Sequence, residues 1–134
     1  MTNHDDSALS AILPDDAAQL PAAFVSAFNS GNAEQLDLLY DDPGVLVPRP
    51  GHPVTGEERA AADRYLLGLG LPMDARLRHA YTAGDTALLI VDWSVRGTAP
   101  GGEEIDLRGT AADVARRGAD GRWRYVVNNP FGGG

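Results

Sequence analysis

The chain has no cysteine among its 134 residues. That excludes a thiolate nucleophile, a thiolate-held zinc and a redox-active dithiol, and it leaves the redox compartment unread. Lysine is absent too: all eleven basic residues are arginine, so a Schiff-base mechanism has no amine to use. No apolar run approaches the roughly 18 residues of a membrane span, and no basic segment precedes an apolar one near the start. A cytoplasmic protein without a membrane partner is the expectation. Positive charge is missing from the first third, where Asp5, Asp6, Asp15, Asp16, Glu34, Asp37, Asp41 and Asp42 precede the first arginine, Arg49. The net charge of −8 therefore sits in that third and would repel phosphate backbones, so nucleic acid is not an expected partner.

What is present suits one domain with its own core: 43% apolar and 22% charged residues in a chain long enough to bury about two thirds of its unfolded surface. Residues 1–14, with His4, are expected to be a loosely ordered tail, and 15–132 the domain. Leu20, Phe24 and Phe28 recur at helical spacing with Pro21 in the first turn, and the pattern stops at Asn29-Ser30-Gly31. Asn32 to Gln35 reads as a capping box opening a second helix whose buried face is Leu36, Leu39 and Tyr40. That helix is expected to end at Asp41-Asp42-Pro43-Gly44, followed by a short strand at Val45-Leu46-Val47. Thr55-Gly56-Glu57-Glu58 reads as a second capping box, opening a third helix to about Leu67.

After Met73 the pattern changes to strands, over about 74–82, 86–98, 104–117 and 122–128, separated by glycine-containing hairpin segments. Helices followed by hairpin-linked strands predict an α+β domain, with helices on one face of a curved antiparallel sheet. Over Thr86 to Thr98 one parity carries Leu89, Val91, Trp93 and Val95, while the other carries Leu88 and Ile90 beside Asp92, Ser94 and Arg96. Both faces are partly apolar and one helical layer covers only one of them, so a homodimer through the outer sheet face is expected.

This element order resembles the cone-shaped nuclear transport factor 2-like superfamily, with its ketosteroid isomerases, limonene epoxide hydrolases and SnoaL-like cyclases. Within it the chain is most similar to the SgcJ/EcaC group, through Phe28 to Ala33, Leu38-Leu39-Tyr40, Pro48 to Gly56, Asp92-Trp93 and Trp123 to Gly132. The resemblance implies three helices packed on the sheet around a deep apolar cavity, with acidic or histidine side chains at its floor. It implies cofactor-free acid–base chemistry of isomerase, cyclase or hydrolase type on an apolar oxygenated small molecule, or alternatively a non-catalytic dimeric binding or association domain.

Asp92 is the foremost catalytic candidate, a lone carboxylate after Leu88-Leu89-Ile90-Val91. It reads as a general acid or base facing the cavity, or as an ion pair with Arg108 or Arg96. Asn128, on the last strand, stands near where the epoxide hydrolases carry an acid; it could orient a carbonyl or water, or satisfy backbone groups before Pro130. His79 alternates with Leu77 and Tyr81 and so faces either cavity or dimer interface, as a candidate base or a packed residue. Tyr40 and Tyr65 could aim phenols at a substrate oxygen or serve as core, and His52 lies at an expected cavity rim. Phe24, Phe28, Leu36, Leu66 and Ile90 are candidate walls, Arg108 a candidate substrate contact, and Asp113 a possible second pocket acid. His52 and His79 lack ligand spacing and no glycine loop precedes a helix, so neither a metal nor a nucleotide or other cofactor is expected.

Overall fold

The computed structural model describes residues 12–133, so His4 and most of the expected tail lie outside the described residues. The start of the described chain is docked: Leu13 is buried, and the Pro14 carbonyl accepts the Trp123 amide. After a 3-10 turn at Ala17–Gln19 come α1 (Leu20–Asn29), α2 (Ala33–Leu38), β1 (Tyr40–Leu46), α3 (Gly56–Leu67), β2 (Met73–Ala83), β3 (Thr86–Thr98), β4 (Glu104–Arg117) and β5 (Trp123–Asn128).

Local chemistry sets the helix ends. Asp16 caps the 3-10 turn by accepting the Ala18 amide, and Asn32 caps α2 by accepting the Gln35 amide at 3.1 Å. Between α1 and α2 the chain reverses through Gly31 at φ +71°, a conformation that glycine adopts without steric cost. Asn29 ties the end of α1 to the sheet, donating to the Met73 carbonyl and accepting the Met73 amide. Thr55 precedes α3, but its side chain makes no capping hydrogen bond, so the second capping box is not formed.

The strands order as β1-β5-β4-β3-β2. Neighbours from β5 to β2 run antiparallel, while β1 joins the edge parallel to β5. The sheet is thus mixed rather than wholly antiparallel. β1 also starts earlier than the sequence predicts. Its backbone leaves the helix at Leu38 and pairs Tyr40 with Tyr125, so Tyr40 belongs to a strand and not to the apolar face of α2. On β3, Leu89, Val91 and Val95 are buried beneath the helices with Leu20, Phe24, Phe28, Leu36, Leu39 and Tyr125, each such side chain worth about 2 kcal/mol on burial.

Among the described residues no element covers the opposite face of the sheet, which carries Tyr81 and Leu88, both exposed by more than a third. It also carries two arginine pairs, each sharing one aspartate. Arg76 and Arg78 lie 3.7 Å from Asp92, and Arg96 and Arg108 lie 3.6 and 2.7 Å from Asp106. No helix among the described residues is long and apolar enough to cross a membrane.

Candidate functional site

Small side chains make the space. The inner face of β4 presents Gly109, Ala111, Asp113 and Ala115, of which Ala111, Asp113 and Ala115 are buried, so α1 and α3 do not close fully against the sheet. A cavity of about 90 Å³ remains, walled by Phe24, Leu66, Val91, Trp93 and Tyr125 and reached by Asp63, Asp113 and Asn128.

Asp113 is 4% exposed, and the Asn129 amide donates to its Oδ1 at 2.7 Å. Loss of hydration outweighs that hydrogen bond and pushes the carboxyl from 3.8 up to about 7. Asp63, on α3, is pushed from 3.8 to about 6, again by burial, against the pull of Arg59 and of a hydrogen bond from the Tyr40 hydroxyl. The two acids therefore share a cavity but differ in partners. Asp63 faces a guanidinium and a phenol, whereas the groups acting on Asp113 are its desolvation and one backbone amide.

Around Asp63 the polar groups form a continuous chain. Asn128 Nδ2 donates to Tyr40 Oη at 2.9 Å, which leaves the phenol proton free for Asp63. Burial, and next the Asp63 charge, push the Tyr40 phenol well above its ordinary value, so it remains a donor. Arg59 donates from Nη1 to Asp63 at 2.9 Å and from Nη2 to Asp37 at 3.2 Å, and its guanidinium lies 4.0 Å from the Tyr40 ring centroid. Arg64 holds Asp37 from outside at 3.3 Å. Tyr125 packs edge-on to Phe24 at 5.8 Å, and burial raises its phenol as well.

Of the residues singled out from the sequence, Tyr40, Asn128, Phe24, Leu66 and Asp113 meet at or beside this cavity. Phe28 and Leu36 are core residues that do not line it. Asp92 lies on the opposite face of the sheet, where Thr110 Oγ1 donates to it at 2.8 Å beside Arg76 and Arg78. The expected alternative partners, Arg96 and Arg108, pair with Asp106 instead. Ile90 and Arg108 lie on that outer face too, as their strand parity dictates. His79 is exposed because β2 carries a register irregularity between Leu77 and His79. It flips the alternation, so Leu77 points in while His79 and Tyr81 stack outside at 5.7 Å. Tyr65 is 74% exposed, and His52 is exposed in the turn after β1, where neither touches the cavity.

Arg59 and Asp63 went unread in the sequence. Their signal is there: Arg59, Asp63, Leu66 and Leu67 recur at helical spacing, so the stripe that α3 turns to the core carries two charges four residues apart.

The SnoaL-like domain family matches residues 22–126, which contain all of the acids and tyrosines just described. The chain belongs to this family. Its fold is that of the NTF2-like proteins. A conserved protein from Planctomyces limnophilus superposes with a TM-score of 0.73 at 20% identity, covering 82% of this chain and 88% of that one. A candidate calcium/calmodulin-dependent protein kinase type II association domain from Thiobacillus denitrificans gives 0.68 at 22% identity, with 88% and 94% covered. A candidate dehydratase of the NTF2-like family from Streptomyces avermitilis gives 0.67 at 19% identity, with 84% and 90% covered. No curated protein matches the SnoaL-like chain.

Proposed function

We propose that this SnoaL-like domain binds a small, neutral, oxygen-bearing apolar molecule in its cone and performs cofactor-free acid–base chemistry on it. The observation that carries the reading is the pair of buried carboxyl groups lining one apolar cavity with unlike partners. Environments that set two acids apart assign their roles. Asp63, held by Arg59 and Tyr40, is the group kept ionised and takes a proton from carbon next to a carbonyl. Asp113, with no cation acting on it, is the group kept protonated and gives its proton to the carbonyl oxygen. The carbon–hydrogen electron pair becomes the carbon–carbon bond of an enol, and return of a proton at another carbon completes an isomerisation. Tyr40 and Asn128 orient Asp63, and the aromatic walls exclude water. Cyclase and hydrolase chemistry would draw on the same two acids, and membership of the SgcJ/EcaC group, a secondary-metabolite substrate and a cytoplasmic setting belong to the same proposal.

The test is a titration with small ketones and enones followed by NMR of the Asp63 and Asp113 amides, with Asp63→Asn and Asp113→Asn in parallel. Binding that shifts both amides and weakens in either variant supports the reading. Binding indifferent to both variants sinks it.

A second reading, association, rests on the open outer face. Tyr81 and Leu88 are exposed there beside rows in which each aspartate serves two arginines. Turned about a two-fold axis, such rows set arginine opposite aspartate, so the face suits a second copy of the chain. The homodimer is compatible with catalysis inside each cone. Sedimentation equilibrium of wild type and Leu88→Arg tests it, and a monomeric wild type would refute it.

A further inference from the structure

The segment that follows β5 does more than end the sheet. It is fixed to the free edge of β4 at two points, where the Ala112 amide donates to the Asn129 carbonyl at 3.0 Å and the Gly133 amide to the Thr110 carbonyl at 2.8 Å. Between those points a tight turn, closed by the Gly132 amide on the Asn129 carbonyl at 3.1 Å, carries Pro130 and Phe131 over the inner face of the sheet. Trp93 Nε1 donates to the Pro130 carbonyl at 2.7 Å, and the Phe131 ring meets the Trp93 indole edge-on at 5.4 Å. Pro130 and Trp93 are both cavity walls.

Gly109 makes room for this strap. A Cβ there would lie 2.9 Å from the Pro130 carbonyl oxygen, 3.0 Å from Phe131 Cδ1 and 3.1 Å from Trp93 Nε1, so no larger residue fits while the turn is seated. The same strap supplies the Asn129 amide that reaches Asp113.

From this arrangement, and resting on the ligand-binding reading of the cavity given above, we infer that the Asn129–Gly133 strap, latched by Trp93 and seated on Gly109, sets the size of the ligand and restricts it to short acyclic molecules. The volume agrees. At about 90 Å³ the cavity falls below the roughly 150 Å³ of an apolar cavity that takes benzene and far below the roughly 300 Å³ at which sites for larger ligands begin. A ring the size of benzene or larger is excluded with the strap seated, and short acyclic ketones are the fitting class.

The test compares affinities for butanone, cyclohex-2-enone and the bicyclic 2-tetralone in wild type, Phe131→Ala and Gly109→Ala, with the exchange rate of the Trp93 indole proton as an independent measure of the latch. Wild type is expected to bind butanone and to disfavour cyclohex-2-enone and the bicycle by at least about tenfold, the scale at which a filled apolar pocket discriminates by size. Phe131→Ala, which removes an edge contact without touching a cavity wall, should speed indole exchange and narrow that gap; Gly109→Ala should narrow it further. An unchanged size ranking in both variants, with faster indole exchange, would overturn the inference while leaving the binding reading intact. A freely exchanging indole proton in wild type would overturn it as well. If no probe binds any variant while the indole proton stays protected, the binding reading itself falls and the inference falls with it.

Discussion

Replacing Asp113 by asparagine should change how stability depends on pH more than it changes the structure. The amide keeps an oxygen for the Asn129 N–H, which now donates to Asp113 at 2.7 Å, and it removes the one ionisation that burial opposes most. Each pKa unit corresponds to about 1.4 kcal/mol. A carboxyl lifted from 3.8 to about 7 thus costs the folded state about 4 kcal/mol once it is fully ionised. The sign follows from the raised value: the folded state is free of this cost below the unfolded pKa and incurs it as pH rises through the folded one. About 3 kcal/mol of the loss falls between about pH 5 and about pH 8. Urea unfolding of wild type and Asp113→Asn over that window isolates the term, since every other titrating group is common to both chains. The wild-type stability should fall relative to the variant by about 3 kcal/mol from the acid to the alkaline end. Parallel curves would refute the burial argument for Asp113.

Arg59→Met removes the cation between Asp63 and Asp37; chemical unfolding should show a loss of about 3 kcal/mol at neutral pH, shrinking toward acid as the stranded Asp63 is protonated. Tyr40→Phe leaves the Asn128 amide without its acceptor and Asp63 with Arg59 but without its phenol donor, for a loss of about 2 kcal/mol in the same assay and an upward move of the Asp63 carboxyl, read from its carbon-13 shift. Asp92→Asn touches an exposed pair of arginines, so stability should change by less than about 1 kcal/mol and cavity-ligand affinity should not change.

The sequence carried the fold further than it carried the site. The 3.6 and 2.0 periodicities around Leu20-Phe24-Phe28 and Leu89-Val91-Val95 report burial on a regular element, and those residues are the core. The first half of β1 escaped that reading because Tyr40-Asp41-Asp42-Pro43-Gly44 has breaker chemistry, and its pairing with β5 depends on residues more than eighty positions away. One irregularity in β2 sets Leu77 on the face opposite His79 and Tyr81, a separation that strand parity cannot foresee. Asp92 drew notice because its neighbours in sequence are apolar, yet those neighbours alternate faces, and its own face holds arginines from β2. Asp63 escaped for the opposite reason: Glu57, Glu58, Arg59 and Arg64 around it make α3 read as a solvated helix. Only packing against Tyr40 and β1 shows that one charged stripe is turned inward.

The central claim is that two cavity acids move protons on a small oxygenated molecule, and deuterium exchange at the carbon next to a carbonyl reads this directly. Butanone in heavy water, followed by proton NMR, should lose its α-proton signals faster with wild-type protein than with buffer, and Asp63→Asn should abolish the difference. Exchange no faster than buffer with wild type, or undiminished in Asp63→Asn, would contradict the account.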